Sequence, residues 1–280
     1  MKTIETSTIT KEIKRLCIEA ATFIGDDVLA KIKEAKESEK GLAKDILDQI
    51  IENDIIAKNE FVPMCQDTGI TIVFVEIGNQ VFINGDLNEA INEGVRQGYT
   101  EGYLRKSVVA SPLNRKNTFD NTPAIIHIKY NVGDKLKLTV CPKGAGSENM
   151  SKVKMLVPAD GINGIKKFVK DTILEAGGRA CPPLVVGIGI GGNIEKAGIL
   201  AKEALLRPLD DESKDLDANK LEKELLAEIN ELNVGPMGLG GKTTALAVKV
   251  NLYPCHIASL PVCVNLQCHA ARHKEVILWI

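Results

Sequence analysis

Residues 63–71 read Pro-Met-Cys-Gln-Asp-Thr-Gly-Ile-Thr, so a thiol (Cys65), an amide (Gln66) and a carboxylate (Asp67) stand side by side before an apolar run at 70–77. A thiolate is a soft metal ligand or nucleophile, and a carboxylate beside it can move a proton. The chain holds seven cysteines: Cys17, Cys65, Cys141, Cys181, Cys255, Cys263 and Cys268. Cys65 precedes Gln-Asp-Thr-Gly, Cys181 lies between Gly177-Gly178-Arg179-Ala180 and a Pro-Pro pair, and Cys268 follows an apolar run and precedes His269. All three flank turn signals, where a rigid scaffold offers side chains to a ligand. Cys17 falls on an apolar helical face and Cys141 and Cys263 fall within strand-like runs, as small hydrophobes do. The set Cys255, His256, Cys263, Cys268 and His269 holds one short pair, Cys263-x₄-Cys268, but Cys263 lies inside a strand-like run and no second such pair accompanies it, as structural zinc sites usually require.

Two glycine-rich stretches invite a phosphate-binding reading. Gly187–Gly192 is a literal G-x-G-x-x-G between a strand-like run and a helix, with Asp210 and Asp211 about twenty residues on. Those acids follow Arg207-Pro208 in an acidic segment instead of ending a second strand, and glycines that admit close backbone approach are the alternative reading. The stretch 235–244, GPMGLGGKTT, places Pro236 where a P-loop needs glycine, leaving either a glycine loop that offers backbone N–H groups and Lys242 to an anion or, equally, a structural turn.

The elements that must position these residues can be read from periodicity. Ile and Leu recur at helical spacing through 7–59, and 70–77 reads as a strand. A helix follows an Asp86 cap and runs through 91–108, and 112–123 is a polar loop. Strands at 124–130 and 135–142 flank Asn131-Val132-Gly133-Asp134, the pattern of a hairpin. Next come a glycine loop at 143–149, a strand starting at 152, an amphipathic helix ended by Gly177-Gly178, a buried strand at 184–190 and a helix from 193. The segment 209–232 is helical with a charged face, and strands at 245–251 and 257–266 complete the pattern. Helices and strands alternate without a steady βαβ rhythm. The expectation is α+β, with mixed β-sheets surrounded by helices and a helical N-terminal region, as one catalytic domain over 1–280 or two close-packed lobes.

Bulk properties narrow the function. The 280 residues carry 35 basic and 37 acidic side chains, a net charge of −2, so no field of one sign points to nucleic acid. No apolar run of about 18 residues points to a membrane span. The start, MKTIETSTITKEIKRLC, lacks the apolar core of a signal peptide, so a cytoplasmic location and reduced thiols are expected.

Taken together, residues 65–69 (CQDTG), 142–149 (PKGAGSEN), 177–183 (GGRACPP), 187–193 (GIGIGGN), 233–245 (NVGPMGLGGKTTA) and 256–272 (HIASLPVCVNLQCHAAR) resemble, in order, the alpha part of class I fumarate hydratases and L-tartrate dehydratases. The resemblance spans about residues 10–275. It implies a [4Fe–4S] cluster held by Cys65, Cys181 and Cys268, with the fourth iron free of protein ligands. Such an iron acts as a Lewis acid toward a substrate hydroxyl. It implies that the enzyme is a hydro-lyase acting on a small dicarboxylate: fumarate and malate first, L-tartrate to oxaloacetate second. Asp67 and His256 are then the catalytic residues, and Gln66, Arg105, Lys143, Gly144 and Gly146 contact substrate. The family's single-chain members carry a further C-terminal domain with more arginine and lysine contacts and a catalytic threonine. For this chain the resemblance implies a separate beta subunit in a hetero-oligomer. Two other readings belong to different classes: a nucleotide-dependent enzyme using the glycine loops, and a non-catalytic metal-binding interaction subunit.

Overall fold

The computed structural model describes residues 2–279. In chain order the elements are β1 (Lys2–Glu5), α1 (Thr6–Thr22), α2 (Asp26–Ser38), α3 (Leu42–Glu60), β2 (Ile70–Gly78), β3 (Val81–Asn84), α4 (Leu87–Glu101), β4 (Ile125–Asn131) and β5 (Lys135–Lys143). They continue as α5 (Ala145–Glu148), β6 (Lys152–Leu156), α6 (Gly161–Ala176), β7 (Leu184–Gly192), α7 (Ile194–Ala204), α8 (Leu216–Asn230), β8 (Ala245–Cys255), β9 (Leu260–Gln267) and β10 (Lys274–Trp279). The class is α+β with mixed sheets, as the sequence leads one to expect. The chain divides into two compact units, residues 1–24, 54–145 and 272–280 forming the first and residues 25–53 and 146–271 the second. Among the described residues no helix is long and apolar enough to cross a membrane.

The first unit is built on a four-stranded sheet in the order β10-β5-β2-β4. Strand β2 pairs parallel to β4 and antiparallel to β5. The hairpin expected between 124–130 and 135–142 does not form, because β2 lies between the two strands. The apolar run of β2 gains a pairing partner on each edge this way. The turn at 131–134 instead gives its carbonyls to the next turn, Asn131 O to Asn79 N–H at 2.8 Å and Gly133 O to Gln80 N–H at 3.0 Å. Two strand spacings are about 10 Å, which four residues can bridge. Helix α1 buries Ile9, Ile13, Leu16 and Cys17 at helical spacing, and these join Val73 and Val75 of β2, Ile91, Val95 and Tyr99 of α4, and Leu136, Leu138 and Val140 of β5 in one core. Helix α4 is capped by Asp86, which accepts from Glu89 N–H at 3.1 Å. It stops at Glu101, short of the expected 108, where Tyr103 turns to φ 53° and the chain enters the loop that carries Arg105.

The second unit holds the sheet β6-β9-β7-β8, with β7 parallel to β8 and antiparallel to β9. Strands β7, β8 and β9 are near-continuous apolar runs. Their side chains meet those of α6 and α8 in a core that includes Val169, Ile173, Val186, Ile188, Leu225, Val248 and Val264. The glycines of 187–192 lie inside β7 and not in a strand-to-helix loop. A Cβ on Gly189 would come within 2.1 Å of Ala197 O on α7, so these glycines seat a helix against the strand. Close approach, rather than a dinucleotide fingerprint, accounts for the pattern.

Candidate active site

In the first unit the Cys65-Gln66-Asp67-Thr68-Gly69 turn is fixed from several sides. Met64 is buried and its N–H donates to Ala21 O at 3.0 Å. Gly69 adopts φ 78°, and a Cβ there would lie 2.7 Å from the Lys143 backbone, so only glycine lets the turn enter β2 beside the end of β5. The buried Tyr99 hydroxyl of α4 lies 2.8 Å from Thr68 O and 3.1 Å from Gly69 O, and burial pushes this phenol well above its ordinary value. The Thr68 hydroxyl donates to Arg105 O at 2.8 Å. Asn121 is fully buried and left-handed at φ 63°. It donates to Gly69 O at 3.2 Å and accepts from Ser107 and Val108 N–H at 2.7 and 3.2 Å. One network therefore ties the Asp67 turn to the Arg105 loop.

The Asp67 carboxylate is oriented by both oxygens. Oδ1 accepts from Gly69 N–H at 3.0 Å, the Asx turn that Asp-Thr-Gly suggests, and Oδ2 accepts from Ala145 N–H at 2.8 Å. Arg105 Nη2 stands 3.5 Å from Oδ1 on a side chain that is 58% exposed, while the Asp67 side chain is 21% exposed. Gln66 is exposed beside Cys65, with Oε1 3.7 Å from the sulfur. Gly144 faces the carboxylate, since a Cβ there would stand 3.2 Å from Asp67 Oδ2. Lys143 ends β5 and its side chain is only 1% exposed. These residues together give one unit a partly exposed thiol, an oriented carboxylate, a reachable guanidinium and a glycine turn.

The second unit holds the other two loop cysteines. Cys181 is left-handed at φ 54°, at the end of the 177–180 turn that follows α6. The glycine loop 235–241 braces it: Met237 N–H donates to Pro182 O at 2.8 Å, and a Cβ on Gly238 would collide with Gly178 Cα at 2.4 Å. This stretch is a support for Cys181 rather than a phosphate cradle. Cys268 follows β9 directly, and the next residue, His269, donates its N–H to Cys181 O at 3.2 Å, which draws the two cysteine loops together. Gly146 lies in this unit, 3.2 Å from Arg179 O by its Cβ direction. His256 sits in the exposed turn between β8 and β9, where its Nδ1 accepts from Ala258 N–H at 3.1 Å. In a neutral ring that acceptor role puts the proton on Nε2.

The donor set discriminates among the seven thiols. Cys65, Cys181 and Cys268 are partly exposed at turns, whereas Cys17, Cys141 and Cys263 are buried. Burial pushes the Cys17 thiol up to about 12 and the Cys263 thiol up to about 11, which withholds the thiolate that a metal needs. Cys255 is exposed at the end of β8, its Sγ 3.3 Å from Ser259 O. Among the described residues no three His, Cys, Asp or Glu side chains are gathered into a group that could hold a single metal ion. A cubane is wider than one ion, and each of its thiolates binds a different iron. Three separate, partly open loop thiols fit that donor requirement, and the buried thiols do not.

Sequence reasoning missed three residues that build this site. Arg272 donates through Nη2 to Asp67 O. Tyr99 and Asn121 fix the turn from below and beside it. Tyr99 reads as one more apolar helix residue, and Asn121 as one more loop former. Only the left-handed tendency of Asn before Thr-Pro hints at a special backbone there.

Residues 10–277 match the family described as fumarate hydratase (fumerase). A putative L(+)-tartrate dehydratase subunit alpha from Methanocaldococcus jannaschii is 46% identical over 272 residues, covering 94% of this chain and 95% of that protein. The L(+)-tartrate dehydratase subunit alpha of Escherichia coli O157:H7 is 30% identical over 262 residues, covering 92% and 86%. That of Escherichia coli K12 is 29% identical over the same length, with the same coverage. The turn that sets a cysteine, an amide and an oriented carboxylate at the head of β2 thus lies within a match covering nearly the whole sequence, and the chain belongs to the fumarate hydratase family of hydro-lyases.

Proposed function

We propose that this chain is the alpha subunit of an iron–sulfur hydro-lyase that adds or removes water on a small dicarboxylate, with a beta subunit completing the site. The observation that carries the reading is Asp67: its two oxygens are held by the Gly69 and Ala145 N–H groups, it faces Arg105 at 3.5 Å, and it is two residues from Cys65. Cys65, Cys181 and Cys268 are the residues that would hold a [4Fe–4S] cluster. When bound, the cluster supplies an iron without a protein ligand, a Lewis acid that eases departure of a hydroxyl group. The chain's own residues do the rest. Arg105, exposed and planar, can take a substrate carboxylate through two hydrogen bonds, and Gln66 can donate to the same substrate. Gly144 and Gly146 keep the loop low enough for a ligand to approach its backbone. Lys143 contributes its main chain, since its side chain is buried. Asp67 accepts the proton from the carbon next to the departing hydroxyl, on a lone pair its backbone donors leave free. His256, with its Nε2 proton, is the second acid–base group.

The family description supports fumarate and malate as the substrate pair, and the names of the relatives support L(+)-tartrate. These substrates differ by a hydroxyl, and contacts from the beta subunit can decide between them. Anaerobic co-expression with the beta subunit, followed by assays on malate, fumarate and L(+)-tartrate, tests the proposal. It predicts turnover of one or more of the three and a loss in Asp67→Asn. Turnover of none by an iron-loaded complex contradicts it.

A further inference from the structure

Arg272 is 4% exposed. Its Nη2 donates to Asp67 O, while Nε and Nη1 are buried with no hydrogen-bond partner among the described residues. Buried donors cost stability when left unmade, and a guanidinium kept only for structure usually closes its fork on a carboxylate. Here the one bond it makes goes to the backbone of the residue whose carboxylate is presented to the site. Nη2 also lies 3.9 Å from the Cβ direction of Gly144, beside the Ala145 N–H that holds Asp67 Oδ2. The guanidinium therefore stands where the Asp67 turn and the glycine loop meet.

We infer that Arg272 is a positioning residue for Asp67. It clamps the main chain of the turn, and through it aims the carboxylate. This rests on the hydro-lyase reading only for its consequence in turnover; the clamp itself is a property of the chain.

Two readouts separate the clamp from mere scaffolding. In the purified full-length chain, amide hydrogen exchange at Gly69 and Ala145 reports whether Asp67 still accepts from both groups. Arg272→Met should speed exchange there by tenfold or more, with the Val73 and Val75 amides of β2 unchanged. Arg272→Lys keeps the charge and one donor and should give an intermediate rate, which decides the matter if the Met variant does not fold. In the complex with the beta subunit, Arg272→Met should lower kcat by tenfold or more with KM within about twofold. Unchanged exchange at Gly69 and Ala145 overturns the clamp, and so does equal acceleration at Val73 and Val75. Changed exchange with unchanged kcat overturns the catalytic consequence alone. Absence of turnover in the wild type counts against the hydro-lyase reading and leaves the exchange result standing.

Discussion

Asp67 draws donors from Gly69 and Ala145 and a guanidinium from each of Arg105 and Arg272, the latter to its backbone oxygen. A carboxylate so oriented is suited to one proton transfer in one direction, and removing such a group typically costs about 10²–10⁴-fold in rate. Asp67→Asn in the complex should therefore lose kcat by about 10²–10⁴-fold, with a lowered thermal midpoint as well, because the amide keeps an acceptor for one backbone donor and turns its NH2 group toward the other. A drop below about tenfold would assign the proton to His256 instead. Arg105→Lys keeps a charge but loses the planar fork. A rise in KM of about ten to a hundredfold is expected, equivalent to one or two hydrogen bonds to a charged group. An unchanged KM would remove Arg105 from the carboxylate site.

At the scale of elements, the turns and loops that hold chemistry are braced by glycines whose missing side chains make room for neighbouring backbone. Gly189 in β7 admits α7 so closely that Gly189→Ala should cost about 1–3 kcal/mol, read as a lower urea midpoint at unchanged slope. A wild-type midpoint would mean that α7 does not lie against the strand. Thiol chemistry tests the same elements. Iodoacetamide at pH 8, followed by mass spectrometry of the native cluster-free chain, should label Cys65, Cys181, Cys255 and Cys268 and spare Cys17 and Cys263, whose burial raises their pKa to about 12 and about 11 and keeps them as thiols at that pH. Labelling of Cys17 ahead of Cys65 would contradict the assignment. Most helices and the long strands were legible because their burial is periodic, and the three loop cysteines because turn residues surround them. The short strands β1, β3 and β10 were not. In β10, Ile277 and Trp279 are apolar on the exposed side, which hides the alternation that marks a strand. The placement of β2 between β4 and β5 was hidden as well, since a turn signal specifies a reversal but not which strand fills the gap. Arg272 was invisible because its importance lies in a contact 205 residues distant in sequence.

At the scale of the whole molecule, the two units divide the proposed ligands: Cys65 with Asp67, Arg105 and Arg272 in one, Cys181 and Cys268 in the other. Under the proposed function the beta subunit supplies the remaining substrate contacts. The chain alone, reconstituted anaerobically, should bind iron and sulfide yet turn over none of the three dicarboxylates, gaining activity only when the beta subunit is added. The most direct test of the central claim is the iron content of anaerobically reconstituted wild type beside Cys65→Ser, Cys181→Ser, Cys268→Ser and, as a control, Cys263→Ser. The account predicts about four irons in the wild type and the control, and loss of most of that iron in each of the other three. Full iron retention in any of those three, or a colourless wild type after reconstitution, would contradict it.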